Sequence, residues 1–387
     1  MGKRKISILG STGSIGENTL RVIRRHLDEM QVWALTAHRN QERLLAQAQE
    51  FGPVFLGVSG ADEISRQFAR QLPQGTRAEA GAGALIEACK GADLVVLAVV
   101  GMAGLPAFEY CLRNGIAVAF ATKEALVCGG RLARDLMDEN KAPVLPVDSE
   151  LSAIFQCLQG ERREELETIW LTASGGPFRT ASRQQIEQAS VADALQHPNW
   201  SMGAKITVDC ASMVNKGLEV METRWLFDVP AGKIRVAVHP QSIIHSMVEF
   251  KDRAILAQLG SPDMKIPIAY ALRYPHREPC GVQPLDLFSC GALTFEQPDP
   301  ARFPCLQLAY RAIERDDYLQ LVFNSANEVA VDLFLREKIT FPGIYALIAA
   351  AMERFDGICI RRFDDIYAAD GEIRAWCAEN VPRSVLK

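Results

Sequence analysis

The sequence predicts an α/β protein: an N-terminal, doubly wound parallel sheet, followed by an α+β domain and a helical C-terminus. Three observations carry this. Short apolar runs alternate with helical segments through residue 147. The first run ends in a glycine-rich turn, Gly10-Ser11-Thr12-Gly13-Ser14-Ile15-Gly16, that opens a helix. After Glu150 the alternation gives way to hairpin-spaced strands, and after Cys305 to helical periodicity alone. A chain of 387 residues exceeds what one hydrophobic core usually supports, so several domains are expected.

The first strand, residues 5–10, runs into the glycine turn, and a helix is expected over 17–26. Glycines let a backbone approach a pyrophosphate, and the free N–H groups of a helix start meet its charge. The spacing is G-x-x-G-x-x-G rather than G-x-G-x-x-G, so a purely structural turn is the competing reading. The second strand, 32–37, ends in His38-Arg39-Asn40, where an NAD site places an acidic residue for the ribose hydroxyls. Basic and amide groups there favour a 2′-phosphate, hence NADP. Strands at 54–58, 93–100, 116–121 and 143–147 then alternate with helices at 61–71, 105–114 and 129–140, which completes a Rossmann-like pattern. Two strand ends carry polar groups, Thr122-Lys123-Glu124 and Asp148-Ser149-Glu150. Ligands of open α/β sheets lie at such ends, although chains also simply turn there.

A helix at 152–158, a strand at 168–173 and the loop Ser174-Gly175-Gly176-Pro177 lead to the stretch from His197 to Glu219. Its second half reads as a helix, because Val214, Leu218, Met221 and Trp225 form an apolar stripe. Asn215 and Glu219 then share the neighbouring face. Strands follow at 234–238, 246–250 and 254–259, the last two joined as a hairpin. Residues 275–304 are rich in proline and poor in periodicity, which reads as a linker. Helices at 326–336 and 344–355 are the clearest features of the C-terminal part. The expected domains are 1–147 for the nucleotide, 148–274 for the catalytic site, the linker 275–304, and the helical 305–387.

Composition excludes several classes. A net charge of −5 with both signs interspersed gives no support to nucleic acid or an anionic membrane as partner. No stretch approaches the roughly 20 apolar residues of a membrane span, and the start lacks a signal-peptide core, so a cytoplasmic protein is expected. Ten cysteines without a Cys-x-x-Cys pair read as buried free thiols in a reducing compartment.

On an extended backbone Asp148 and Glu150, at i and i+2 past a strand, point to one side. Two such carboxylates repel unless a cation joins them; Mg²⁺ or Mn²⁺ prefers oxygen ligands, and Glu219 can supply a third. Helix capping is the competing reading of Asp-x-Glu. Ser174-Gly-Gly, Asn215 and Lys216 form a candidate phosphate cradle.

Taken together these stretches resemble one family. Gly10-Ser-Thr-Gly-Ser-Ile-Gly16, Thr122-Lys-Glu124, Val147-Asp-Ser-Glu150, Leu171-Thr-Ala-Ser-Gly-Gly-Pro-Phe178, His197-Pro-Asn-Trp-Ser-Met-Gly203, Asn215-Lys-Gly-Leu-Glu219 and His239-Pro-Gln-Ser242 closely resemble the 1-deoxy-D-xylulose 5-phosphate reductoisomerases. The resemblance covers nearly the whole chain in the family's order. It implies a homodimer of three-domain subunits that rearranges 1-deoxyxylulose 5-phosphate and reduces the resulting aldehyde with NADPH to 2-C-methylerythritol 4-phosphate, in the non-mevalonate isoprenoid pathway.

By matching positions, the resemblance implies that Asp148, Glu150 and Glu219 hold the divalent cation, Mg²⁺ or Mn²⁺ with Co²⁺ as a further candidate. The cation would chelate the substrate's oxygens and stabilise the enolate of a retro-aldol step. Lys123 and Ser149 would position the substrate, while Ser174, His197, Cys210, Asn215 and Lys216 would face its phosphate. NADPH would fall on Thr12, Gly13, Ser14, Ile15, Arg39, Asn40, Thr122, Glu124 and Gly203, and Trp200 and Met202 would form a lid. The chain departs from the family's usual pattern twice, with Cys210 for a serine and Leu151 for a histidine. A metal-independent NADP dehydrogenase of a small phosphorylated substrate, or a non-catalytic NADP-binding scaffold, are the alternatives on the same parts.

Overall fold

The computed structural model describes residues 2–198, 202–315 and 318–386. Within them the chain forms two compact units. The first comprises Met1–Ala125, Asp135–Ser152 and Asp263–Pro284, and the second comprises Leu126–Arg134, Ala153–Pro262 and Leu285–Lys387.

In the first unit β1 (Arg4–Leu9), α1 (Ser14–Ile23), β2 (Met30–Ala37), α2 (Gln41–Phe51), β3 (Phe55–Val58), α3 (Arg66–Arg70) and β4 (Arg77–Ala80) make one half of the sheet and its cover. Then α4 (Gly83–Cys89), β5 (Leu94–Leu97), α5 (Leu105–Arg113), β6 (Ala117–Phe120), the start of α6 (Lys123–Asn140) and β7 (Val144–Pro146) make the other half. The sheet order is β4-β3-β2-β1-β5-β6-β7 and every pairing is parallel. Parallel strands covered on both faces must be apolar throughout, which is why Leu94-Val95-Val96-Leu97 is a continuous buried run. The strand order reverses between β1 and β5, so their C-terminal ends flank the crevice where such sheets bind ligands.

Crossing into the second unit, α7 (Ser149–Cys157) leads to β8 (Leu166–Ala173), then α8 (Arg183–Glu187), α9 (Val191–Ala194), α10 (Ala204–Ala211) and α11 (Val214–Leu226). β9 (Ile234–Val238), β10 (Ile244–Phe250) and β11 (Ile255–Leu259) complete a mixed sheet of order β11-β10-β8-β9, in which only β8 and β9 are parallel. α12 (Lys265–Arg273) belongs to the first unit, where it packs on α1 and Arg4 Nη1 donates to the Leu272 carbonyl at 2.6 Å. Helices α13 (Cys305–Ala312), α14 (Leu319–Leu335), α15 (Phe341–Arg354) and α16 (Phe363–Glu379) finish the second unit. No helix among the described residues is long and apolar enough to cross a membrane.

The structure departs from the sequence expectation where elements are short or interrupted. β4 and α4 were not expected, because Arg77-Ala78-Glu79-Ala80 is an edge strand with exposed polar groups and little apolar signal. Capping boxes at Ser182/Gln185 and Ser190/Asp193 turn the expected polar turns into α8 and α9. α10 and α12 were also unforeseen. Most consequential, α7 begins at Ser149, so Glu150 lies in a first helical turn, with the Ser152 N–H donating to the Asp148 carbonyl at 2.8 Å. The argument from an extended backbone therefore fails for this pair. The helix-start reading fits the backbone instead.

α6 adds a helical segment from Lys123 ahead of the helix expected at 129–140, and a break separates the two: Gly130 sits at φ 48° and ψ −131°. A side chain on Gly130 would collide with Gln320 Nε2 at 2.6 Å. The break leaves backbone groups without helical partners, and the Tyr318 phenol meets them, accepting from the Leu132 N–H at 3.0 Å and donating to the Gly129 carbonyl at 3.5 Å. Tyr318→Phe removes both contacts from a buried position and is expected to destabilise the protein by about 1–3 kcal/mol, measured as a lower urea midpoint at unchanged m-value.

Candidate active site

The glycine turn is fixed from three sides. A Cβ on Gly10, at φ +84°, would lie 2.4 Å from the Ala98 carbonyl oxygen beyond β5, so only glycine fits there. A Cβ on Gly16 would likewise fall 2.4 Å from Ser11 Cα. The buried Gln47 of α2 donates to the Ser11 carbonyl at 2.9 Å and accepts from its hydroxyl at 2.7 Å. Gly13 is the N-cap of α1 with no side chain bonding to the helix start, and Gly13 and Ser14 are exposed while Thr12 and Ile15 are half-buried. The exposed start of a ten-residue helix, at the switch point of the sheet, fits a pyrophosphate.

His38, Arg39 and Asn40 are exposed just beyond β2. The Asn40 side-chain oxygen caps α2 by accepting from the Arg43 N–H at 3.1 Å, which leaves its amide group as the donor toward any ligand. Thr122 is buried, and its hydroxyl donates to the Val99 and Leu97 carbonyls at 2.7 and 3.1 Å. It ties the ends of β5 and β6 together. Glu124 lies in the first turn of α6. Lys123, also buried, places Nζ 2.5 Å from Asp148 Oδ2, and the Ser149 hydroxyl donates to Glu150 Oε2.

A second group of expected residues lies on α10, α11 and the loop after β8. Gly175 and Gly176 stand at φ +86° and +66°, and the Gly176 N–H donates to Ser174 Oγ at 3.2 Å. Ser174 Oγ also bonds His197 Nε2 at 3.1 Å. Gly176 lies against the backbone of half-buried Cys210, whose carbonyl oxygen would be 2.7 Å from an added Cβ. On α11, Asn215 Nδ2 donates to Glu219 Oε1 at 2.7 Å, and the Lys216 ammonium pairs with Glu219 Oε2. Lys216 and Glu219 are both buried, so each would be costly to leave without the other. Asp148, Glu150 and Glu219 constitute a candidate acidic metal group. Met202 is half-buried and Gly203 is the exposed N-cap of α10, whereas Trp200 lies outside the described residues.

Comparison with known proteins decides the family. A model described as 1-deoxy-D-xylulose 5-phosphate reductoisomerase matches residues 6–130, and models of that enzyme's C-terminal domains match 144–227 and 259–376. The reductoisomerase of Geobacter metallireducens is 50% identical over 370 residues, covering 95% of this chain and 96% of that one. The chain belongs to the 1-deoxy-D-xylulose 5-phosphate reductoisomerase family. The reductoisomerase of Geotalea uraniireducens is 48% identical over 97% of this chain and 98% of its own. Among solved structures, the Zymomonas mobilis reductoisomerase in complex with NADPH superposes with a TM-score of 0.92 at 41% identity, covering 98% and 99% of the two chains. A reductoisomerase in complex with NADPH, fosmidomycin and magnesium gives 0.91 at 39% identity, with 97% and 98% covered.

Sequence reasoning passed over the wider role of the block at His239. His239 Nδ1 donates to the Thr294 carbonyl at 2.9 Å, and Nε2 accepts from the Ile243 and Ile244 amides at 3.3 and 3.2 Å. Six residues on, His245 is buried, and burial pushes its pKa below the usual histidine value, with Lys216 and His239 adding to the fall. Burial lowers His197 in the same direction. A histidine depressed in the folded state contributes stability above about pH 6.5, lost as pH falls toward the folded value. Unfolding free energy should therefore drop between pH 7.5 and 5.5, and the drop should be smaller in His245→Gln, as read by denaturant titration at each pH.

Proposed function

We propose that Asp148, Glu150 and Glu219 hold one Mg²⁺ or Mn²⁺ beside the substrate, that Lys123 and Ser149 orient the sugar, and that Ser174, His197, Cys210, Asn215 and Lys216 receive its phosphate. The chain catalyses the NADPH-dependent conversion of 1-deoxy-D-xylulose 5-phosphate to 2-C-methyl-D-erythritol 4-phosphate, a step of the MEP route to isoprenoid precursors. The observation that carries this is the family match from residue 6 to residue 376 combined with the three carboxylates. The donor set suits a hard cation: all three ligands offer oxygen, and Asp148 and Glu219 each lie beside a lysine, Lys123 and Lys216. When bound, the cation supplies Lewis-acid polarisation of the substrate's oxygens and NADPH supplies hydride.

The chain's own residues then bind and orient. Ser174 and His197 share a hydrogen bond that directs the hydroxyl, and the Gly176 amide holds the same oxygen from the other side. Cys210 replaces a hydroxyl donor with a weaker thiol, so most of the phosphate's hydrogen bonds fall to Ser174, Asn215 and Lys216. The cofactor is assigned to Thr12, Gly13, Ser14, Ile15, Arg39, Asn40, Thr122, Glu124 and Gly203, and the lid to Trp200 and Met202. A homodimer through β11 completes the reading. That edge strand exposes Ile255, Leu256 and Leu259, a combination that invites pairing with a second sheet edge.

Two experiments test the assignment. Glu219→Gln, and EDTA treatment of the unmodified protein, should each abolish NADPH oxidation driven by the sugar phosphate, and Mg²⁺ should restore only the unmodified protein. Full turnover in either case removes the metal assignment. Arg39→Asp should narrow or reverse a preference for NADPH over NADH, because it replaces a cation facing the 2′-phosphate with a carboxylate suited to ribose hydroxyls. Equal kcat/KM for the two cofactors in the unmodified protein would show that this loop does not read the phosphate.

A further inference from the structure

The proline-rich stretch before α13 is bound to the sheet edge and to the loop after β8. Val238 and Glu296 exchange backbone hydrogen bonds at 2.9 and 2.8 Å, and His239 holds Thr294. Arg302 Nη1 donates to the carbonyls of Arg179 and Ala181 at 2.8 and 3.1 Å, while its Nε bonds Asp299 at 2.8 Å. The Glu296 carboxylate accepts from Arg179 Nη1 at 2.6 Å. Both the main chain and the side chain of Arg179 are thus held by residues 296–302.

What Arg179 holds in turn is the loop Ser174-Gly175-Gly176. A Cβ on Gly175 would fall 2.8 Å from Arg179 Cγ and Cδ, so the aliphatic stem lies directly on this glycine. On the next residue, Gly176 meets the Cys210 carbonyl. Two successive glycines in left-handed conformations would explore many others if the stem were absent. Nearby, Phe178 is buried against Phe341 with ring centroids 5.1 Å apart, so the loop has a fixed point on its far side.

We propose that Arg179 is a positioning residue: latched by Glu296, its stem orders Ser174, Gly175 and Gly176 before the phosphate of the substrate arrives. This rests on the reading that Ser174 faces that phosphate. Because the ordering cost is met in the free protein, losing the clamp weakens binding and leaves the chemical step alone.

The test is steady-state kinetics with 1-deoxyxylulose 5-phosphate and NADPH on Arg179→Ala, Glu296→Gln, the double variant and Ser174→Ala. Arg179 and Glu296 are both partly exposed, so the fold tolerates their replacement. The expected result is a rise of about five-fold in the sugar-phosphate KM for each single variant of the pair, with kcat and the NADPH KM within about two-fold, and a double variant no worse than Arg179→Ala. An unchanged KM in Arg179→Ala beside a raised KM in Ser174→Ala overturns the clamp and leaves the phosphate reading standing. An unchanged KM in Ser174→Ala removes that reading, and the clamp with it. A lower KM in Glu296→Gln would mean that Glu296 competes with the phosphate for the guanidinium, which assigns Arg179 to direct contact and overturns the positioning role.

Discussion

The buried ion pair on α11 is the constraint around which the second unit is arranged. Glu219 and Lys216 are 1% and 5% exposed, and a charge so far from water is tolerated only beside its opposite and with its remaining hydrogen-bonding capacity met. Asn215 helps to meet it for Glu219. The helix that carries them is itself braced. Gly217 lets α13 approach until Ala309 Cβ would be 2.6 Å from an added side chain, and Arg134 bonds the Trp225 and Leu226 carbonyls at the far end. Replacing this pair by apolar residues would cost the fold little in principle.

A similar logic holds one helix earlier. Asp209 of α10 is buried, paired with Lys205 at 2.8 Å and with the amide of buried Asn327 at 2.9 Å. It fastens α10 to α14, and α10 in turn places Cys210 against Gly176. Polar groups inside this unit thus form successive supports behind the residues assigned to the substrate, paired within α10 and within α11 and joined across helices where Asn327 meets Asp209.

Much of this was legible in the sequence, for reasons that differ by element. The parallel strands were readable because burial on both faces demands unbroken apolar runs, as in Leu94 to Leu97, and the glycine turn because its position after β1 carries more information than its spacing. β9 was readable to the residue, as a β-branched run with a polar flank. What escaped was structure decided by distant contacts. β4 forms only because β3 offers it an edge, α6 is broken by a partner far along the chain, and the stretch before α13 is bound through single residues that leave no periodic trace. The candidate site was legible by residue type at Asp148, Glu150 and Glu219, but the backbone reason given for the first two was the wrong one. A helix start, and not an extended segment, carries Glu150.

The broken helix has a consequence for how this chain tolerates change. Gly130 and Tyr318 solve one problem from two places in the sequence: the glycine permits the break, and the phenol, 186 residues from Leu132, satisfies what the break exposes. Neither position is interchangeable on its own. A substitution that straightens α6 takes Leu132 and Gly129 away from the tyrosine hydroxyl, and one that removes the hydroxyl takes it away from them. The pair is therefore expected to be strongly epistatic, conserved or replaced together, and a library that varies one while fixing the other will score both as intolerant for a reason that belongs to neither residue alone.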